Sequence, residues 1–105
     1  MINTKTISEI AEKIAANFNP VKIILFGSYA ENRAHDDSDL DLLVVMETKQ
    51  PKPRRNLAIK KLLWEYHFPK DIIVKTPQEF HENMNARGTL THSVVSSGKV
   101  LYEAR

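Results

Sequence analysis

The sequence predicts an α+β (α/β) fold in which a small mixed β-sheet is covered by helices. Three observations lead there. Residues 7–18 repeat apolar side chains at helical spacing. Short apolar segments at 21–26, 40–46 and 71–74 read as buried strands. Helical stretches separate those strands, in the order α-β-(α)-β-α-β-α-α. The 105 residues fit a single domain, 1–105, with one modest core.

In the first helix Ile7, Ile10, Ala11, Ile14, Ala15 and Phe18 share one face. Thr6 and Glu9 are spaced as a capping box at its start, and Asn19-Pro20 ends it. Val21 to Phe26 forms the first strand. Gly27 breaks it, and Ser28 to Ala30 can begin a short helix. Residues 31–38 are polar and loop-like. In the second strand, Leu40 to Met46, Asp39 and Asp41 point to one face while Leu40 and Leu42 point to the other. Residues 47–55 form a proline-broken basic connection.

A helix from Asn56 to about Tyr66 turns Ile59, Leu62, Leu63 and Tyr66 inward, with Pro69 ending it. Asp71 heads the third strand. Thr76, Pro77 and Glu79 supply a cap, a first-turn proline and a box partner for a helix through Phe80 to Met84. A weaker helix at 89–97 ends at Gly98, and Val100-Leu101-Tyr102 adds a last strand.

An apolar share of 42% with 27% charged residues excludes a disordered chain. No apolar run approaches the roughly 20 residues that span a bilayer, and the start lacks the pattern of a signal peptide. The absence of cysteine removes disulfides and thiolate metal sites, and fits a cytoplasmic protein. A net charge of +2 does not argue for nucleic acid as a partner.

The chemistry concentrates between Gly27 and Asp41. Gly27 lets the backbone approach a ligand, and N–H groups at a helix start together with the Ser28 hydroxyl can bind phosphate oxygens. A Gly-Ser pair alone more often marks only a turn with a helix cap. Asp39 and Asp41 are crowded carboxylates that repel unless a cation lies between them. An oxygen-only ligand set selects Mg²⁺ or Mn²⁺, and two such ions can clamp both oxygens of an in-line phosphoryl displacement. An Asp-rich turn (Asp36 to Asp39) that solvates a loop end accounts equally well for the pair. Asp71 would complete a three-carboxylate site on a neighbouring strand and help deprotonate an acceptor hydroxyl. By itself it reads as a strand-end cap or as the partner of Lys70.

Lys49, Lys52, Arg54, Arg55, Lys60 and Lys61 form a basic cluster that reads first as a solvated helix face. Triphosphate, RNA or an acidic partner are its alternatives. The four histidines have no ligand-like spacing. Trp64 and Tyr66 read as core residues, while Tyr29 fits a packing role and a place along a nucleotide equally.

Gly27-Ser28, ten intervening residues and Asp39-Leu40-Asp41 together resemble the signature of the DNA polymerase β-like nucleotidyltransferase superfamily. The short chain, Asp71-Ile72-Ile73-Val74 and the ending Gly98 to Glu103 resemble its minimal nucleotidyltransferase (MNT) branch. The resemblance covers nearly the whole chain. It implies that Gly27 and Ser28 bind the triphosphate, that Asp39, Asp41 and Asp71 hold two Mg²⁺ (or Mn²⁺) ions, and that Asp71 also activates the nucleophile. It implies an antitoxin that transfers AMP from ATP to a tyrosine of a HEPN-domain toxin. Members often carry Arg-Gly where this chain has Glu31-Asn32. Asn tolerates the left-handed backbone Gly would favour, whereas Glu31 replaces a positive charge near the expected phosphates and Arg33 stands nearby. An antitoxin acting by contact alone, or transfer to a small molecule or RNA, are the competing readings. The short chain leaves no room for a separate acceptor domain.

Overall fold

Asn3 starts the first helix. Its extended backbone leaves the side-chain oxygen free to accept the Thr6 N–H at 2.8 Å. The computed structural model, which describes residues 1–105, therefore begins α1 at Thr4–Phe18, and the expected Thr6 cap gives way to Asn3. Asn19 closes the helix in the left-handed conformation (φ 48°), its N–H donating to the Ala15 carbonyl.

Four strands follow: β1 (Lys22–Phe26), β2 (Leu40–Val45), β3 (Lys70–Lys75) and β4 (Lys99–Glu103). They form one sheet in the order β3-β2-β1-β4. β1 runs antiparallel to both β2 and β4, whereas β2 and β3 are parallel. A parallel pair needs a crossover, and α2 (Leu57–Leu62) provides it. α3 (Pro77–Asn83) and α4 (Leu90–Ser97) connect β3 to β4. The expected capping box at Thr76 and Glu79 is present with both of its bonds. Two 3-10 turns, Gly27–Tyr29 and Lys52–Arg54, punctuate the connections.

The alternation of side chains along the strands divides the core in two. On one face Ile23, Leu25, Leu40, Leu42, Val44, Ile72 and Val74 meet α1 and the α2 segment in a cluster of 14 buried residues. On the other, Ile24, Leu43 and Val45 meet Val94 of α4 in a cluster of four, flanked by Phe26, Ile73 and Phe80. At about 1.5–3 kcal/mol per buried aliphatic side chain, the first face supplies most of the hydrophobic stabilisation. No helix is long and apolar enough to cross a membrane.

Two expectations fail at α2. The helix stops at Leu62, well before Pro69, because its ladder tightens: Leu63 N–H is shared between the Ile59 and Lys60 carbonyls, and Tyr66 N–H bonds the Leu63 carbonyl. The tightened turn directs Leu63 into the core and leaves Trp64 outside, 73% exposed, against the expectation that it packs inward. Tyr66 does pack against the core.

Candidate active site

Asp41 occupies the second position of β2, a strand paired on both sides. Its Cα partners are Phe26 on β1 and Asp71 on β3. Because alternate side chains share a face, Asp41 and Asp71 lie with Leu43 and Ile73 on the sparsely covered side of the sheet. Asp39 precedes β2 by one residue on the same side and is exposed, as is Asp71; Asp41 is half-buried. All three predicted acids therefore lie at one end of the sheet.

Gly27 completes that end. Its φ of +74° is a conformation side chains rarely adopt, and a Cβ there would stand 2.2 Å from Asp41 Oδ2. The glycine is required by contact with the acid as well as by the turn. The following residues form a single 3-10 turn rather than the short α-helix expected, with the Ala30 and Glu31 N–H groups donating to the Gly27 carbonyl. One such turn carries little macrodipole, so a phosphate beside Ser28 would rely on local donors. Asn32 adopts φ +56°, the left-handed backbone anticipated for it. Glu31 pairs with Arg33 at 3.3 Å, so the substituted acid partly neutralises that cation. Tyr29 packs against the core at the rim, its hydroxyl accepting the Ile2 N–H.

Burial first, then the charges of Asp71 and Asp39, push the Asp41 carboxyl up to about 6 from its usual 3.8. No group of three or more His, Cys, Asp or Glu side chains is gathered closely enough to be a ready-made metal cage. The repulsion felt at Asp41 is what a divalent cation would relieve, and three carboxylates are the donors a hard ion prefers. The residue types fit Mg²⁺.

Lys70 does not pair with Asp71. Its ammonium donates to the Tyr66 and Phe68 carbonyls, and burial lowers its pKa. Asp71 is left to the site. Sequence reasoning missed what lies beyond it. Arg55 is only 13% exposed and donates to Glu79 at 2.6 Å; that bond, then the Thr76 N–H, holds the Glu79 carboxyl down to about 2. Asn56 Nδ2 donates to the Ile72 carbonyl at 2.8 Å. Both contacts join residues far apart in sequence, and spacing carries no signal for them. The other members of the basic cluster, Lys49, Lys52, Arg54, Lys60 and Lys61, are solvated as expected.

Residues 8–105 match the family described as polymerase beta nucleotidyltransferase. The chain belongs to that family. This nucleotidyltransferase is also 30% identical over 104 residues, 97% of its length and all of the relative's, to a candidate protein adenylyltransferase of Methanocaldococcus jannaschii. Solved structures share its fold. A toxin–antitoxin structure with AMP-PNP has a TM-score of 0.67 at 24% identity, over 93% of this chain and 74% of the other. A candidate nucleotidyltransferase from Sulfolobus solfataricus scores 0.65 at 22%, over 94% and 78%. A mutant of the toxin–antitoxin complex MntA–HpeT scores 0.65 at 22%, over 99% and 75%.

Proposed function

We propose that this nucleotidyltransferase is a metal-dependent protein adenylyltransferase, acting in the cytoplasm as one catalytic domain and as the antitoxin of a toxin–antitoxin pair. The observation that carries the reading is Asp41, its carboxyl raised to about 6 by burial and then by Asp71 and Asp39, and its carboxylate packed on Gly27. The Methanocaldococcus jannaschii relative supports protein as the acceptor. The neighbours bound to AMP-PNP and to toxins support ATP and a toxin partner.

In this reading Gly27 and Ser28 hold the triphosphate, and Asp39, Asp41 and Asp71 hold Mg²⁺. The ion supplies charge neutralisation at the phosphates. Asp71, at the sheet edge, orients the acceptor hydroxyl and takes its proton. The hydroxyl oxygen attacks the α-phosphorus of ATP and a phosphoester bond forms. The bond to the β-phosphate oxygen breaks, and pyrophosphate leaves with its electron pair. Following the family resemblance, the acceptor is a tyrosine of a HEPN-domain toxin.

Incubation of the protein with α-labelled ATP, Mg²⁺ and the co-expressed partner tests this. The partner becomes labelled on tyrosine, and the Asp39→Asn/Asp41→Asn variant transfers nothing. Unchanged labelling and neutralisation by that variant would sink the proposal. A second reading rests on the Glu31–Arg33 pair, which withdraws a cation from the phosphates: neutralisation by contact alone. It predicts that the double variant still neutralises although no label moves.

A further inference from the structure

β3 is an edge strand, and a slot runs along its free side. Five consecutive residues, Asp71 to Lys75, form one wall of a cavity of about 240 Å³; Lys52, Arg55 and Asn56 form the other. The phase of the ladder decides which backbone groups face the slot. Leu40 N–H donates to the Pro69 carbonyl and Met46 N–H to the Lys75 carbonyl, so the odd-numbered residues of β3 turn their polar groups toward β2. Ile72 and Val74 turn theirs outward. The Asn56 amide holds the Ile72 carbonyl, a bond that an incoming strand takes over by displacing that side chain.

The far wall is fixed in advance. Arg55 is clamped by Glu79 and also donates to the Gln50 carbonyl, so the gap does not depend on a mobile side chain. The slot is basic. Lys75 lines it besides the clamped Arg55 and Lys52, which stands 3.9 Å from Glu79, and the only acid among the lining residues is Asp71, at the end next to Asp41. The opposite edge is a poorer template, because β4 pairs with β1 through a register break between Ile23 and Ile24, whereas β3 is regular over its six residues.

We infer that the slot receives an extended, acidic segment of the acceptor protein, which adds to β3 as a fifth strand and brings a hydroxyl side chain level with Asp71. This rests on the reading of Asp71 as the acid on the acceptor side. Strand addition draws its affinity from main-chain bonds and its selectivity from alternate side chains. Asp71, Ile73 and Lys75 face the same side as Asp41. An added strand therefore presents its hydroxyl at the level of Asp71 and, four residues away (about 13 Å), a carboxylate at the level of Lys75. The segment is recognised by that spacing.

The test uses the full chain and a nine-residue peptide with a central tyrosine and glutamate four positions to each side. A matched peptide carries lysine in both places. Amide hydrogen exchange, read residue by residue, slows at Ile72 and Val74 with the glutamate peptide, which binds about fivefold more tightly than the lysine peptide. Lys75→Glu reverses that preference and leaves the melting shift given by Mg·ATP unchanged. Equal binding of both peptides, protection at β4 instead of β3, or no protection at all overturns the inference. The Mg·ATP shift reads the nucleotide site separately. Protection at β3 without that shift upholds the slot and sinks the proposed nucleotide site; the shift without protection sinks the slot and leaves the nucleotide site standing.

Discussion

The two faces of the sheet divide the work of the molecule. The face toward α1 and α2 buries 14 residues as a continuous cluster, while the face toward α3 and α4 buries four. Asp41 belongs to the thin face, one residue from Leu40 and Leu42, which are fully buried on the thick one. A strand alternates its side chains, so β2 can anchor the core and present an acid within three residues. The lesson is that carboxylates need not weaken the core if the sheet assigns them to the face that contributes least to it.

This division can be broken in several ways. Asp41→Asn removes a group of the thin face, and the loss of several kcal/mol of transition-state stabilisation lowers transfer by about 10³-fold. Its melting temperature at pH 7 should equal or exceed the wild type, since a repelled, partly buried charge has gone. A cooperative loss of structure instead would show that the acid is part of the scaffold. On the thick face, Ile10→Ala leaves a cavity and costs about 2–5 kcal/mol in denaturant unfolding. The protein that remains folded should turn over normally; a fall in kcat would couple the two faces.

Gly27→Ala lies between these cases. A left-handed residue with a side chain costs roughly 1–2 kcal/mol, and the new Cβ displaces the Asp41 carboxylate. Activity should therefore fall by more than the unfolding energy explains, and parallel losses would reduce Gly27 to a turn former.

The pH profile separates two carboxylates. Asp41, raised to about 6, is protonated in the folded state before the unfolded one, so its contribution to stability is greatest below pH 3.8 and is lost as pH rises to about 6. Glu79, held at about 2, contributes above 4.5 and loses that contribution as pH falls toward 2. Melting of the metal-free protein should decline across pH 4–6, and Asp41→Asn should flatten that limb alone. Finally, Trp64→Ala should change stability by less than about 0.5 kcal/mol, because the ring is largely in solvent.

Much of this was legible in the sequence where the cause is local. The alternation of Leu40, Asp41 and Leu42 fixed their faces, Thr76 and Glu79 carried their own box, and Asn32 fitted a left-handed turn. Gly27 was readable as a turn, but not as a contact of Asp41. The failures have tertiary causes. Nothing near Leu62 signals a stop, because the helix tightens to bring Leu63 onto the core. Trp64 is large and apolar, and periodicity cannot know that the tightened turn leaves it in solvent with the His67 ring beside it. The slot beside β3 was invisible, since the Arg55–Glu79 clamp and the Asn56 contact join distant segments.

The place of the acids in the strand order sets an order of failure under heat. Asp41 rides on a strand bonded along both flanks, whereas Asp71 rides on one bonded along a single flank. Edge strands detach in smaller, cheaper openings than central ones. Warming should release β3 before β2, giving a species that retains Gly27 and Asp41 but no longer holds Asp71. Such a molecule would still grip a nucleotide while having lost the group that readies the acceptor, so transfer should fade at a temperature below that at which the nucleotide is shed. If both are lost together, the sheet opens as one unit.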